Sequence, residues 1–224
     1  GNNPDLSSVS RMWLGLDETN YSGMVNFTQK FENGNVDWEL RTGLFAETRD
    51  RSFRARNFGY AISGESSSFS STTMQVQEIF SPENINLTDG IRLKEITALS
   101  DSYDASAMML AGYLSFRFRF GTGTDLSLGA RIEKDRQELS SHRQGTTIPV
   151  KVVRDTINLF PSANFAVNLS SASLIRLTYG MSVNRPEFRE SAPFYFVDFD
   201  QNAGIYGNED IKSAYIHNLD LRYE

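Results

Sequence analysis

"TDLSLGARIE", residues 124–133, alternates along its whole length. Leu126, Leu128, Ala130 and Ile132 share one face of an extended chain, while Asp125, Ser127, Gly129, Arg131 and Glu133 share the other. Successive side chains of a β-strand point to opposite faces, so the stretch predicts a strand with one apolar and one polar side. "IRLTYGMSVN" (175–184) repeats the pattern, with Ile175, Leu177, Tyr179, Met181 and Val183 opposite Arg176, Thr178, Gly180, Ser182 and Asn184. "LSFRFRF" (114–120) sets Leu114 and three phenylalanines against Ser115, Arg117 and Arg119, and "VDWELRTGL" (36–44) opposes Val36, Trp38, Leu40 and Leu44 to Asp37, Glu39, Arg41 and Gly43. No segment carries a sustained helical period. The predicted fold is all-β, an antiparallel up-and-down meander of hairpins.

Strands are predicted at approximately 22–31, 36–49, 107–120, 124–136, 156–169, 173–184 and 215–224, with a continuation near 51–60. Several exceed the ~5–6 residues usual in globular sheets and suit the ~9–11 residues that a tilted strand needs to cross a bilayer. The connections are sorted by length. "ENGN" (32–35) carries the Asn-Gly hairpin signature, and "GTG" (121–123) and "SSA" (170–172) are as short. Between them lie the polar excursions 57–106, 137–155 and 185–214. Short turns at one end and long loops at the other are the asymmetry of outer-membrane barrels. A soluble β-sandwich also alternates apolar and polar residues. It gives no reason for loop length to sort by end, nor for the recurring Arg and Glu of the polar face, which suit a wet lumen. The whole is read as one segment of an outer-membrane β-barrel.

Composition narrows the alternatives. Hydrophobic residues are 39% of 224, and no run is long enough for a spanning helix. The net charge is −6 with basic residues scattered, so no nucleic-acid partner is expected. Without cysteine, disulfide scaffolds and thiol chemistry are excluded. The two histidines, His142 and His217, have no ligand-spaced partners, and no nucleophile elbow or phosphate loop occurs. The chain is read as a non-enzyme that needs no cofactor.

Two features of the last long loop are candidate sites. In "DFDQNAGIYGNE" (198–209), Asp198, Asp200 and Asn202 stand at positions 1, 3 and 5 of a calcium-loop template and Glu209 at position 12. Ala203 stands where the template needs Gly, so this is a weak metal candidate beside the reading of a solvated acidic loop. The aromatic residues Phe194, Tyr195, Phe196 and Tyr206 are candidate ligand contacts, with packing of the loop on itself as the alternative.

The stretch "YGMSVNRPEFRESAPFYFVDFDQNAGIYGNEDIK" resembles a strand, loop and return in the barrels of bacterial TonB-dependent outer-membrane receptors. The resemblance rests on Asn184, Arg185, Pro186, Glu187, Phe188, Arg189 and Glu190, then the aromatic acidic stretch Phe194–Asp200, then Gly207 and Asn208. Upstream, "LGARIEKDRQELSS" is similar to the family's G-x-R-x-E strand, "LFPSANFAVNLSSASLIRLTYG" to the hairpin after it, and "AETRDRSFRARNFGY" to a further stretch. The resemblance implies energy-coupled uptake of a scarce nutrient, such as an iron chelate, cobalamin, an oligosaccharide or a peptide, across the outer membrane of a Gram-negative bacterium. Implied partners are a plug domain and the remaining barrel strands of a parent chain, the TonB complex, and outer-membrane lipid. A plug domain, a TonB box and an aromatic C-terminal residue are not found here. Residues 1–224 are therefore expected to be a single β domain, a partial barrel cut from something longer. Such an excerpt is expected to close on itself or to form a homo-oligomer. The competing reading is a soluble β-rich binding or adhesion module.

Overall fold

The computed structural model describes residues 10–34, 36–62, 74–88, 90–198 and 203–224. Its strands are β1 (Ser10–Asn33), β2 (Val36–Ile62), β3 (Ile91–Glu95), β4 (Ser102–Phe120), β5 (Thr124–His142), β6 (Pro149–Ser170), β7 (Ser173–Asn184), β8 (Tyr195–Asp198), β9 (Ala203–Tyr206) and β10 (Ala214–Tyr223). The main sheet has the order β1-β2-β4-β5-β6-β7-β10, every pair antiparallel, and β3 adds to the upper end of β2. Sequence neighbours thus pair in space, as the meander predicts. The helices α1 (Val76–Ile79) and α2 (Phe188–Ser191) have four residues each.

The strands are longer than predicted. β1 begins at Ser10 rather than near 22, β2 runs unbroken to Ile62, and β4 begins at Ser102. The predicted excursion at 137–155 is mostly strand: β5 and β6 pair from Thr124↔Val167 up to His142↔Pro149, leaving only residues 143–148 to connect them. The reason lies in which face is apolar. In the lower half, Leu44, Gly112, Ile132 and Leu159 form one cross-strand row on the outer face, and inner rows hold Arg41, Ser115 and Glu39, Arg117. In the upper half the polarity inverts. Inner positions become Ala55, Tyr103, Ala105, Leu139 and Val152, while the outer row Ser52, Asp104, Ser140 and Lys151 is polar. Alternation persists while its phase reverses, so an apolar-outside template stops matching where the strand does not.

The inversion marks the edge of the apolar band. From Val36 to Ala46 the strand covers roughly 35 Å at ~3.3 Å per residue, or about 25 Å of height at the tilt usual for such barrels. Outer side chains in this band are open to their surroundings, among them Val25 (73%), Leu44 (71%) and Leu159. Near the short turns the outer face is aromatic. Phe31 stacks on Trp38 at 3.9 Å, and Phe116, Phe118 and Phe120 follow one another at 6.3 Å. Gly34 and Gly121 take positive φ at the tips of two of these turns, where a side chain would strain the backbone.

The buried core lies above the band, on the inner face: Ala55, Tyr103, Ala105 and Leu139, closed by Phe188, Ala192 and Phe194 from the loop after β7. A second cluster packs Ile79 and Ile91 against Tyr60, Ile62 and Phe80 where the excursion after β2 folds back. Among the described residues β1 pairs only with β2, and β10 only with β7. Among the described residues the sheet is open, so of the two expected outcomes, closure or a homo-oligomer, the single chain does not take the first. A barrel of about eight strands has an interior just wide enough for its own side chains. This inner face carries Glu39–Arg41, Arg117–Asp125 and Arg131–Glu133 pairs instead.

Candidate functional site

The long connection after β7 turns into the concave side of the sheet. β7 ends at Asn184, opposite Ala214 of β10. Beyond it Arg185 reaches down to β5, with Nη2 2.6 Å from Glu133 Oε2 and Nε 3.5 Å from Asp135 Oδ1. Arg131 Nε binds the other Glu133 oxygen at 2.6 Å, so one carboxylate is shared by two guanidinium groups. Pro186 is buried, and Glu187 N–H donates to Glu190 Oε2 at 2.8 Å, which fixes the start of α2.

That short helix delivers its apolar side chain to the wall. Phe188 is 3% exposed, with the guanidinium groups of Arg49 and Arg51 over its ring at 4.9 and 5.3 Å. Arg51 is itself held by Glu18 on β1. Ser191 accepts from Arg154 Nη1 at 2.7 Å, and Arg154 Nη2 donates onward to the Ile211 carbonyl at 3.0 Å. Burial lowers the Arg154 guanidinium from its ordinary value. Gly207 passes so close to the helix that an added Cβ would collide with the Ala192 carbonyl oxygen, and Asn208 N–H donates to Glu190 O at 2.7 Å. One face of the fold therefore gathers Arg185, Phe188, Glu190, Gly207 and Asn208 of the predicted motif. Arg189 is exposed, and it too has an interaction partner.

The aromatic candidates separate. Phe194 is 4% exposed and packs edge-on against Phe53 at 5.1 Å, so its ring belongs to the core rather than to a ligand surface. Tyr195 and Phe196 lie on β8, whose backbone pairs with β9 through Tyr195↔Tyr206 and Phe196↔Ile205. Tyr206 is 48% exposed. The hairpin also bears on the calcium template. Asp198 is the register partner of Ala203, so positions 1 and 6 of the template stand opposite each other on β8 and β9. Asp200 and Asn202 lie outside the described residues, and Glu209 follows β9.

Glu133 and Arg131 stand in the G-x-R-x-E strand recognised from sequence, but their partner across the loop was not foreseen. Asp135, Arg154 and Phe53 were missed, and Arg49, read from sequence as part of a solvated or headgroup-facing basic cluster with Arg51, Arg54 and Arg56, instead lies over the Phe188 ring. Only the inward parity of Asp135 on β5 could have signalled it. Between the wall and the loop a cavity of ≈ 200 Å³ remains, where the charged groups of Glu47, Arg49, Asp135 and Arg185 meet Ala107, Met109 and Pro186. At the far upper end Arg56 clamps Glu95 through two 3.0 Å bonds, and this hydrogen bonding, joined by Thr97, holds the Glu95 carboxyl below its ordinary value.

Comparison with known families decides the class. The model of the outer membrane protein beta-barrel family matches residues 69–224. The chain belongs to that family. As a member of the outer membrane protein beta-barrel family it resides in the outer membrane, which overturns the soluble binding module as an alternative: the apolar outer band meets lipid, not a second sheet. Among solved structures it is similar in fold to the crystal structure of the siderophore receptor PiuA from Acinetobacter baumannii, with a TM-score of 0.57 at 15% identity. The match covers 94% of this chain and 29% of that one, so the chain spans under a third of the receptor's length. No curated protein matches the sequence.

Proposed function

We propose that this family member is one part of the wall of a TonB-dependent receptor that takes up a scarce nutrient, an iron chelate, cobalamin, an oligosaccharide or a peptide, with energy supplied from the inner membrane. The observation that carries the reading is the inward fold of Asn184–Glu190, clamped by Arg185 onto Glu133 and Asp135. It narrows the concave side at the height where a solute enters and leaves the charged inner wall below open. In this reading residues 1–224 are a single partial-barrel domain without a plug. A plug domain and further strands of a parent chain complete the pore, the TonB complex drives it, and transport proceeds without catalysis or a cofactor. Ligand contact falls to the surface around Tyr206, with Tyr195 and Phe196 on the same hairpin, and an ion, if bound, is held by Asp198, Asp200, Asn202 and Glu209.

The test is uptake by whole cells. Deleting the gene abolishes accumulation of one labelled nutrient of these four classes, and a protonophore or loss of TonB abolishes it equally in the parent strain. Accumulation of all four classes unchanged by the deletion, or uptake indifferent to the protonophore, would overturn the proposal.

A further inference from the structure

The cavity between the motif loop and the wall is built from two neighbouring rows of the inner face. Glu47, Met109 and Asp135 are register partners across β2, β4 and β5, and Arg49, Ala107 and Gln137 form the next row up. Strand β4 thus supplies an apolar floor, with charged or amide side chains standing on either side of it. Arg185, Pro186 and Glu187 roof it. Its ≈ 200 Å³ is below the ~300–1,000 Å³ of clefts that enclose a whole drug-sized molecule, so it has room for one end of a ligand.

The polar groups around this space do not satisfy one another. Asp135 is 4% exposed, and its one ion pair among the described residues is an approach of Arg185 Nε to 3.5 Å. Gln137 is 7% exposed, and its buried Oε1 accepts no hydrogen bond. Arg49 lays its guanidinium group on Phe188, yet its buried Nε donates to nothing. Shielded polar groups are normally partnered, so these unmatched atoms mark a place where a ligand brings the missing partners. The lining also carries three carboxylates, Glu47, Asp135 and Glu187, against the two guanidinium groups of Arg49 and Arg185.

These unmet groups specify an occupant. The acceptors on β5 call for a positively charged donor, Arg49 Nε calls for an oxygen acceptor, and the floor calls for an apolar group. A metal ion would leave Arg49 without an acceptor. An anionic chelate would set negative charge against Asp135, and a neutral sugar would not offset the excess carboxylate. The amino end of a peptide carries all three complements in one residue.

We infer that the nutrient is a peptide and that this cavity holds its N-terminal residue. The ammonium group donates to Asp135 and to Gln137 Oε1, and the first carbonyl accepts from Arg49 Nε. The first side chain lies against Ala107, Met109 and Pro186. The inference rests on the reading of the chain as receptor wall and narrows its four nutrient classes to one.

The natural full-length protein, purified in detergent and immobilised, is offered an equimolar pool of synthetic octapeptides without lysine, and separately the same pool acetylated at the α-amine. Mass spectrometry reads what is retained. Wild type is expected to retain the free pool over the acetylated pool by about tenfold, a difference of ~1.4 kcal/mol. Asp135→Asn, which removes the charge, and Ala107→Leu, which fills the floor and keeps every charge, are each expected to bring that ratio close to one. Retention of neither pool, equal retention of both, or a ratio unchanged in either folded variant would overturn the inference. If one variant does not fold, the other decides. Energy-coupled accumulation of a chelate, cobalamin or an oligosaccharide through a receptor that retains neither pool would overturn this inference alone, whereas accumulation of none of the four classes would overturn the receptor reading with it.

Discussion

Arg185, the first residue past β7, closes on Glu133 in the middle of β5 at 2.6 Å, across 52 residues of sequence. Both side chains are largely shielded, and the contact is the tether that turns the loop inward. Arg185→Met should therefore release the loop while leaving the strands intact. Hydrogen bonds to charged groups contribute about 1.5–3 kcal/mol when shielded. The expected result is faster proteolytic cleavage within 186–213 with unchanged heat-modifiable mobility of the barrel. Cleavage at the wild-type rate would show that the tether is dispensable.

Phe188 is the apolar anchor of the same loop. Phe188→Ala should cost about 3–5 kcal/mol, as truncation of a buried aromatic ring does. Phe188→Leu keeps most of the volume but loses the ring face beneath Arg49 and Arg51, a loss of about 1–2 kcal/mol. Urea unfolding in detergent, followed through tryptophan emission, separates the two. A Phe188→Leu cost near zero would mean that the guanidinium groups contribute nothing.

Gly207 is required for close approach rather than for an unusual φ. Gly207→Ala drives a methyl group into the Ala192 carbonyl, which sits on backbone and cannot swing aside. Overpacking of this kind costs typically about 1–3 kcal/mol. Gly23→Ala, which meets open space, is the control. Hydrogen exchange of residues 188–194 should accelerate in the first variant alone.

The fastening of β3 to β2 depends on pH. Glu95 has its carboxyl held below the ordinary value of 4.5 in the folded protein, through hydrogen bonds from Arg56 and then Thr97. A depressed folded value means the contribution is complete above pH 4.5 and lost as pH falls through the folded value. Protection of the Ile91–Glu95 amides, taken relative to the intrinsic exchange rate at each pH, should fall only at acid pH, and Glu95→Gln should abolish that dependence. Acid-accelerated exchange persisting in Glu95→Gln would place the titrating group elsewhere.

The outer face should reject charge. Leu128→Arg places a guanidinium group in the lipid band, at a cost of about 2–4 kcal/mol near the midplane. Ser127→Arg, one residue away on the inner face, should cost far less. Comparable costs for both would invalidate the assignment of faces.

The meander and its faces were legible because alternation is local: Leu126, Leu128 and Ile132 state their side of the sheet without reference to any partner. The upper strands were not, because 137–155 keep the alternation with the opposite phase and read as polar loop. Leu139 and Val152 are register partners in the core, and nothing in either stretch alone says that they meet. The motif at 184–190 was visible as a pattern, but its work was not. A pairing such as Arg185 with Glu133 is long-range and depends on the loop folding inward, which no sequence spacing encodes. Phe194 looked like a ligand contact for the same reason: an aromatic residue in a loop reads alike whether it faces solvent or Phe53.

The swap of apolar and polar faces along β2, β4, β5 and β6 also acts as a vertical stop. Sliding the sheet outward by one two-residue repeat, about 6.7 Å along the strand, lifts Leu44 and Ile132 toward water. Sliding it inward by the same step drags Thr48 and Arg136 into hydrocarbon and Asp50 and Glu138 after them. Both displacements are opposed on these four strands at once, so the molecule indexes its own height. Moving one charged residue across that line should shift the whole sheet's seating rather than a single side chain.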